Sequence, residues 1–436
     1  MLVIMQQDHS IIINKEVIVY KSIMKFFVVF LSLFFSTAFA HTFRGELDVL
    51  VFDDFKHNQS TIKYNLHEGS TIYELSIPKT IDKSHLLTGD HVIVEGDAIS
   101  GVKQSRIKVE SISVDKNALV KPKLTESRNV LSLLVNFTDK RATDAISVAG
   151  IDDQLYTSTV SVRRNYLRSS SNQLKFLRDA DKDGNPGIYV VDLDYDAGDV
   201  CNYWVWSEDA KIAAEEAGID LSLYRHHMFI LPSNVHCPWG GLGNIGCGAN
   251  CKTWIVARGE NKGVMAHELG HNLGLHHSST DLNNDGSSDS EYGDLACVMG
   301  AGYRQINAPQ RDRMHWYDDK PAKITTVAAN SQYLVRSLDI VTDGLQVLKV
   351  NKQDGTGTYY VSYRSNHGPF GMIAPYSGKV NIHRISAGDT HTFFIKSLGA
   401  SESFVDVANN ITITAIETHL KNAIVDVNFD AVIPAK

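Results

Sequence analysis

The chain is poor in several features that would mark particular protein classes. It has only ten prolines in 436 residues, and its 31 glycines follow no repeat, which excludes collagen-like and low-complexity architectures. Lysine and arginine (42) are outnumbered by aspartate and glutamate (50), for a net charge of −8. Nucleic acid is therefore not an expected partner, because non-specific binding needs clustered basic residues. Beyond the first forty residues no run stays apolar for the ~18 residues that a membrane helix needs, so no internal span is expected. Cysteine is absent until Cys201; the five are Cys201, Cys237, Cys247, Cys251 and Cys297. An odd set leaves at least one thiol free or paired in trans. The sequence specifies no oligomeric state.

What is present divides by pattern. Residues 26–35 are strongly apolar and lie between Lys25 and the small residues of Ser36-Thr37-Ala38-Phe39-Ala40. This is the pattern of a secretory signal cut after Ala40, with Met24 as the natural start; an uncleaved anchor is disfavoured because the run is short. Residues 1–40 are read as a leader. The mature protein is expected to be secreted, extracellular or periplasmic, with no stable membrane anchor. That setting permits disulfides. Cys247 and Cys251 sit four apart with no second close pair, which suits a disulfide better than a structural zinc site.

At about 100–200 residues per domain, the length allows two to four domains. Residues 41–125 read as a small β domain, a barrel or sandwich, from short runs at 47–51, 91–95 and 107–109. It would be either a permanent domain or a removable prosegment. Residues 126–320 mix both periods. Strands are expected at 130–137, 228–231 and 253–257, with Leu155, Val162 and Tyr166 on one helix face. Ser207 is expected to cap a helix over 208–217 that Gly218 ends. Residues 321–436 return to alternation at 359–363, 380–383, 411–414 and 425–429, and read as a C-terminal β-sandwich.

The chemistry lies in one segment. Residues 264–279 read Val-Met-Ala-His-Glu-Leu-Gly-His-Asn-Leu-Gly-Leu-His-His-Ser-Ser. His267 and His271, four apart on a helix, share a face and can hold one metal ion. Glu268, beside the first ligand, falls where it can reach a metal-bound water. Gly274 can adopt positive φ and end the helix. The chain then turns back, so that His277 can supply a third nitrogen, with His276 as its competitor. Three imidazoles and one water make a catalytic zinc pattern with the fourth position open to substrate. With 18 His and 31 Gly in the chain, this combination should arise by chance only about 2 × 10⁻⁴ times. A helix of solvated histidines is therefore a poor account of it.

His267-Glu268-Leu269-Gly270-His271-Asn272-Leu273-Gly274-Leu275-His276-His277 resembles the extended zinc motif of the metzincin metallopeptidases. Glu291-Tyr292-Gly293-Asp294 and Cys297-Val298-Met299-Gly300 resemble the segment leading into that family's Met-turn, with Met299 beneath the metal. Asn307-Ala308-Pro309-Gln310 and Trp316 follow, and the closer resemblance is to the gametolysin-type, M11-like branch. The specific match covers roughly 264–316 and extends by organisation over 129–320. It implies an α+β catalytic domain, a twisted mixed sheet with an active-site helix below it, flanked by the two β units. An antiparallel edge strand, within 240–257, would receive an extended peptide by β-augmentation. The cofactor would be one catalytic Zn2+ and the substrate a protein or peptide, with Glu268 activating a zinc-bound water to hydrolyse peptide bonds. Two departures stand out. Ala301 occupies the position, two after the methionine, where some relatives have tyrosine; Tyr303 is out of register. No cysteine occurs in 41–128, so a prosegment cysteine switch cannot operate from there.

Other readings compete. The chain could be a zinc-containing adhesin or binding module with little or no turnover, or Glu291 could replace His277 as the third ligand. Asp179, Asp181 and Asp183 match the first half of a calcium loop, as do Asp281, Asn283 and Asp285. Each lacks glutamate at its twelfth position, where Val190 and Tyr292 stand, so each could bind Ca2+ or be a solvated turn. His226-His227 and His315 read as structural.

Overall fold

The structure, a computed structural model, describes residues 41–99, 105–115, 126–179 and 184–430. The expected leader over 1–40, with its Met24 start, lies outside the described residues, as do Asp181 and Asp183.

Strands β1 (His41–Asp54), β2 (Gln59–Glu68), β3 (Thr71–Ser76), β4 (His91–Ile99) and β5 (Ser105–Val114) form the first unit. β1 pairs with both β2 and β4, while β3 and β4 each pair with β5, so the five strands close into a barrel. Alternation drives this. Leu47, Val49 and Val51 of β1 meet Leu66, Val92, Val94 and Ile107 inside, as period-two side chains must. Gly45 lets β1 cross the barrel, since a Cβ there would lie 2.0 Å from the His67 carbonyl oxygen.

The sheet continues into the second unit, because β1 also pairs with β10 (Gly241–Asn244). Beyond it come β11 (Cys251–Val256), β9 (His226–Leu231), β6 (Ser127–Asn136) and β7 (Lys175–Leu177), with β8 (Ile188–Asp192) also on β6. β11, β9 and β6 run parallel, and β10 is antiparallel to β11. Almost all of β6 and all of β9 are buried, as strands covered on both faces should be. One face packs Val130, Leu134, Met228 and Ile255 against α2 (Val162–Ser169) and α4 (Lys262–Asn272). The other packs Leu131, Phe229 and Trp254 against α3 (Tyr203–Glu216). Among the described residues the remaining α-helices are α1 (Val148–Asp152) and α5 (Ala308–Arg313).

Two expectations are corrected. The helix expected over 208–217 starts at Tyr203, and Ser207 lies within it, its hydroxyl bonded to the Trp204 carbonyl at 2.8 Å rather than capping. Tyr203-Trp204-Val205-Trp206 reads as strand by propensity, but burial of Trp206 in the sheet's core overrides it. Leu155, Val162 and Tyr166 share one core but not one helix. A π-type turn ends at Thr157, and α2 starts afresh at Val162, capped by Ser161.

The last unit is two sheets. One runs β12 (Ser278–Thr280), β18 (Thr392–Leu398), β17 (Lys379–Ser386), β16 (Gly357–Arg364), β15 (Val347–Asn351), β13 (Ile324–Thr326). The other runs β14 (Ser331–Arg336), β21 (Asn422–Asn428), β20 (Ile411–Thr418), β19 (Glu402–Asp406). They share a core that includes Val335, Val361, Ile382, Ile413 and Val425. β12 comes from the segment just after His277, so hydrogen-bonded sheets cross the borders expected near residues 125 and 320. Disulfides join Cys201 to Cys237 and Cys247 to Cys251, and Cys297 is free and buried.

Candidate metal centre

α4 carries the motif. Gly274, at φ +93, closes it. The Gly274 amide donates to the His271 carbonyl at 2.8 Å and the Leu275 amide to the Gly270 carbonyl at 3.0 Å, the paired bonds of a Schellman end. That turn also exposes the Leu275 carbonyl, which lies 2.7 Å from His271 Nδ1. His267 Nδ1 is held by the Val298 carbonyl at 2.8 Å, and His277 Nδ1 by Glu291 Oε1 at 2.6 Å. Each ring thus has one nitrogen fixed behind it and presents Nε2 forward, the arrangement that orients metal-binding histidines. Nε2 of His271 and His277 are 3.2 Å apart. His276 is buried but outside this cluster; its carbonyl accepts from Gln310 Nε2 at 2.7 Å. Glu291 does not enter the cluster either: it sits behind His277 and also meets His391 Nε2 at 3.2 Å.

Met299 lies against the helix. A Cβ at Gly270 would fall 2.3 Å from its sulfur, so the glycine is what lets the methionine seat below His267 and His271. Ala301 leaves its position without a phenol, and Tyr303 is turned away to bond the Val160 carbonyl at 2.9 Å. A different tyrosine reaches the centre. The Tyr292 ring lies 4.7 Å from that of His277.

The fourth group is Asp53, at the end of β1. Its carboxylate oxygens stand 3.0 Å from His277 Nε2, 3.3 Å from His271 Nε2 and 3.6 Å from His267 Nε2. Tyr292 donates its hydroxyl to Asp53 Oδ1 at 2.9 Å. Asp53, His267, His271 and His277 place one donor atom each within 4.8 Å of one another. His267 Nε2 and Asp53 Oδ2 are buried with no hydrogen-bond partner. Orphaned polar atoms at this depth are costly, and a cation between them would satisfy both. Three imidazole nitrogens and one carboxylate oxygen are a donor set that suits zinc. The residues fit the metal.

Glu268 lies beside the cluster, wholly buried, against the Asp53 carboxyl and with no protein donor on either carboxylate oxygen. It faces β10, where a Cβ at Gly241 would be 1.9 Å from Oε1. Burial, and then the Asp53 charge, raise its pKa well above the carboxylate range. Burial pushes the Asp53 carboxyl up, but His277 and then His271 hold it well below that range. Burial lowers His267 to about 3 and also lowers His271. For His277 burial acts downward too, but Asp53 and Glu291 raise it to about 9.

The residues of the candidate calcium loops come together differently. Asp281 is buried, paired with Arg384 at 2.6 Å, and accepts the Asp285 and Gly286 amides. Its charge is met by a protein cation. Asn283 bonds Asp285 at 2.9 Å. Asp179 accepts a long bond from the Gly184 amide, at 3.4 Å.

The helix, its three imidazoles and the adjacent glutamate are of the metallopeptidase class. The profile of the gametolysin peptidase M11 family matches residues 143–414, more than half of the chain, and the chain belongs to that family. An autolysin of Chlamydomonas reinhardtii is 33% identical over 101 residues, and this match spans 21% of the chain and only 15% of the autolysin's length. Among solved structures, catalytically inactive OgpA of Akkermansia muciniphila in complex with an O-glycopeptide aligns at 13% identity and a TM-score of 0.30, over 68% of this chain and 90% of that one. Metalloproteinase-II of Bacteroides fragilis aligns at 14% and 0.27, over 59% and 76%. Likenesses this distant carry no argument about substrate.

Proposed function

We propose that the protein is a secreted, zinc-dependent endopeptidase of the metzincin type, acting on extracellular proteins or peptides. The observation that carries this reading is the convergence of three Nε2 atoms, each fixed from behind through Nδ1, beside a buried carboxyl group that no protein donor meets. Bound there by His267, His271 and His277, zinc would act as a Lewis acid on the scissile carbonyl and acidify water at the centre. Glu268 takes the proton of the attacking water and hands it to the leaving amine. Tyr292, whose hydroxyl already donates into the centre, is placed to donate to the carbonyl oxygen as charge develops on it. β10 offers the edge along which an extended peptide would align. Two disulfides and the leader pattern support export.

The test compares Asp53→Ala with Asp53→Ala/Glu268→Gln, both loaded with zinc. Both should bind about one zinc, and only the first should cleave a reduced, alkylated protein, with cleavage stopped by a chelator. Equal cleavage by the two would overturn the role of Glu268. A second reading, a zinc-containing binding module with little turnover, draws on one observation: Asp53 completes four protein donors, as closed structural sites do. It predicts that neither variant cleaves while both keep zinc.

A further inference from the structure

We propose that Asp53 is a fourth protein ligand of the metal and that the β1–β2 hairpin occupies the cleft as an internal, substrate-like strand, so that the folded chain is latent. The inference rests on the peptidase reading. Three sets of contacts, each from a different side of the hairpin, carry it.

On one side, β1 takes the sheet edge. It runs antiparallel to β10 from Leu50↔Asn244 to Asp53↔Gly241. The ladder extends beyond these pairs, with the Ile245 amide donating to the Val49 carbonyl at 2.8 Å and the Gly240 amide to the Asp53 carbonyl at 2.9 Å. Without β1, β10 would end the catalytic sheet with its donors and acceptors open to an incoming peptide. With it, that edge is spent.

At the centre, Asp53 stands among the three Nε2 atoms, within 3.6 Å of each. A carboxylate oxygen there, receiving the Tyr292 hydroxyl, fills the position that a substrate carbonyl would need. On the far side, the tip is pinned to the segment after α4. Asn58 Oδ1 accepts from Ser290 Oγ at 3.0 Å and from the Tyr292 amide at 3.2 Å. Ser60 Oγ donates to Glu291 Oε1 at 2.8 Å, and the Tyr292 hydroxyl also reaches the Gln59 carbonyl at 3.0 Å. Phe55 stands edge-on to His267, ring centres 5.1 Å apart. It lines two surface hollows, one shared with Pro238, Trp239 and Arg258, the other with Leu295 and Tyr376.

The hairpin therefore lies between two rims, with open groove beyond its tip. Behind it His267, Glu268, His271 and His277 are each at most 2% exposed, and no peptide reaches them. Glu268 separates latency from a permanently closed site. A structural zinc site has no use for a second carboxyl group buried against Asp53 with no protein donor on either oxygen, and its cost would be uncompensated. In a latent peptidase the same group is a base held in reserve.

The experiment uses the full chain and three variants, Asp53→Ala, Asp53→Asn and Phe55→Ala. Co2+ replaces zinc for absorption spectra, zinc affinity is measured by chelator competition, and cleavage of a reduced, alkylated protein is followed. Asp53→Ala and Asp53→Asn should both change the visible Co2+ spectrum. Asp53→Ala should weaken zinc binding at least about tenfold, the least that loss of even an outer partner costs, and should cleave at least about tenfold faster than wild type. Phe55→Ala keeps every donor and loosens only the seat, so its rate should lie between the two. An unchanged Co2+ spectrum and zinc affinity in both Asp53 variants would overturn Asp53 as a ligand. Equal cleavage by wild type and Asp53→Ala would overturn latency while leaving the peptidase reading intact. A changed spectrum with no cleavage by any variant would keep the ligand and overturn the peptidase reading, and latency with it.

Discussion

Replacing Glu291 with alanine tests how the third imidazole is held. Glu291 Oε1 lies 2.6 Å from His277 Nδ1 and also serves Ser60 and His391. Burial pushes this carboxyl up, but the hydrogen bonds to His277 and His391 hold it far below its usual range, so it is ionised throughout the working pH range. A hydrogen bond to a charged group contributes about 1.5–3 kcal/mol. At about 1.36 kcal/mol per factor of ten, its loss should weaken zinc binding roughly 10- to 150-fold. Measured effects of removing such outer partners, about 10–100-fold, fall in the same range. His277→Ala removes a donor outright and should cost far more. Competition against a chromophoric chelator reads both variants on one scale. If Glu291→Ala lost as much affinity as His277→Ala, Glu291 would itself be a ligand, and the assignment of three imidazoles to the metal would be wrong. No change at all would show that the 2.6 Å contact does not orient the ring.

Further outcomes are expected elsewhere. Gly270→Ala drives a methyl to 2.3 Å from the Met299 sulfur and should destabilise the protein by about 1–3 kcal/mol. Calorimetry would measure the loss, and Met299→Ala should relieve part of it; strict additivity of the two changes would refute the contact. Cys201→Ser opens a link between residues 36 apart and should cost about 3–4 kcal/mol on the loop-entropy estimate, seen as a lower midpoint in chemical denaturation. Asp294 is buried; burial alone would raise its pKa, but His383, 3.0 Å away, holds it below 3.8. A carboxyl depressed on folding adds stability that is fully present above about pH 3.8 and lost as pH falls through the lower folded value. Asp294→Asn should therefore be less stable at neutral pH and should show a shallower decline in acid; an unchanged acid limb would count against the pair.

The centre was legible where its grammar is local. His267, Glu268 and His271 lie within two helical turns, and Gly274 marks the turn that returns His277. Sequence spacing carries all of that, because helix geometry converts offsets into faces. Asp53 was missed because its partner histidines lie more than two hundred positions away and strand pairing over such a span has no local signature. One signal was available. Leu47, Val49 and Val51 set the inward face of β1, and residue 53 falls on the same face by alternation. A carboxylate on a core face demands a partner, and the cluster supplies it. Tyr292 stands within a recognisable motif, but its aim depends on how the segment after α4 folds back. Helix α3 began earlier than expected because its aromatic first turn is stabilised by tertiary packing rather than propensity. The disulfide partners Cys201 and Cys237 depend on the same kind of long-range closure.

The return of the chain after the third imidazole has a wider meaning. Ser278–Thr280 is at once the continuation of the histidine motif and the edge strand of the C-terminal sandwich, and the Thr392 amide bonds the His277 carbonyl itself at 3.1 Å. The sandwich is thus a splint on the bond that aims the ring, not an appendage trailing a self-sufficient enzyme. Chimeras that graft the front half onto a foreign tail would need to carry β18 along, or the last imidazole would be left without its brace.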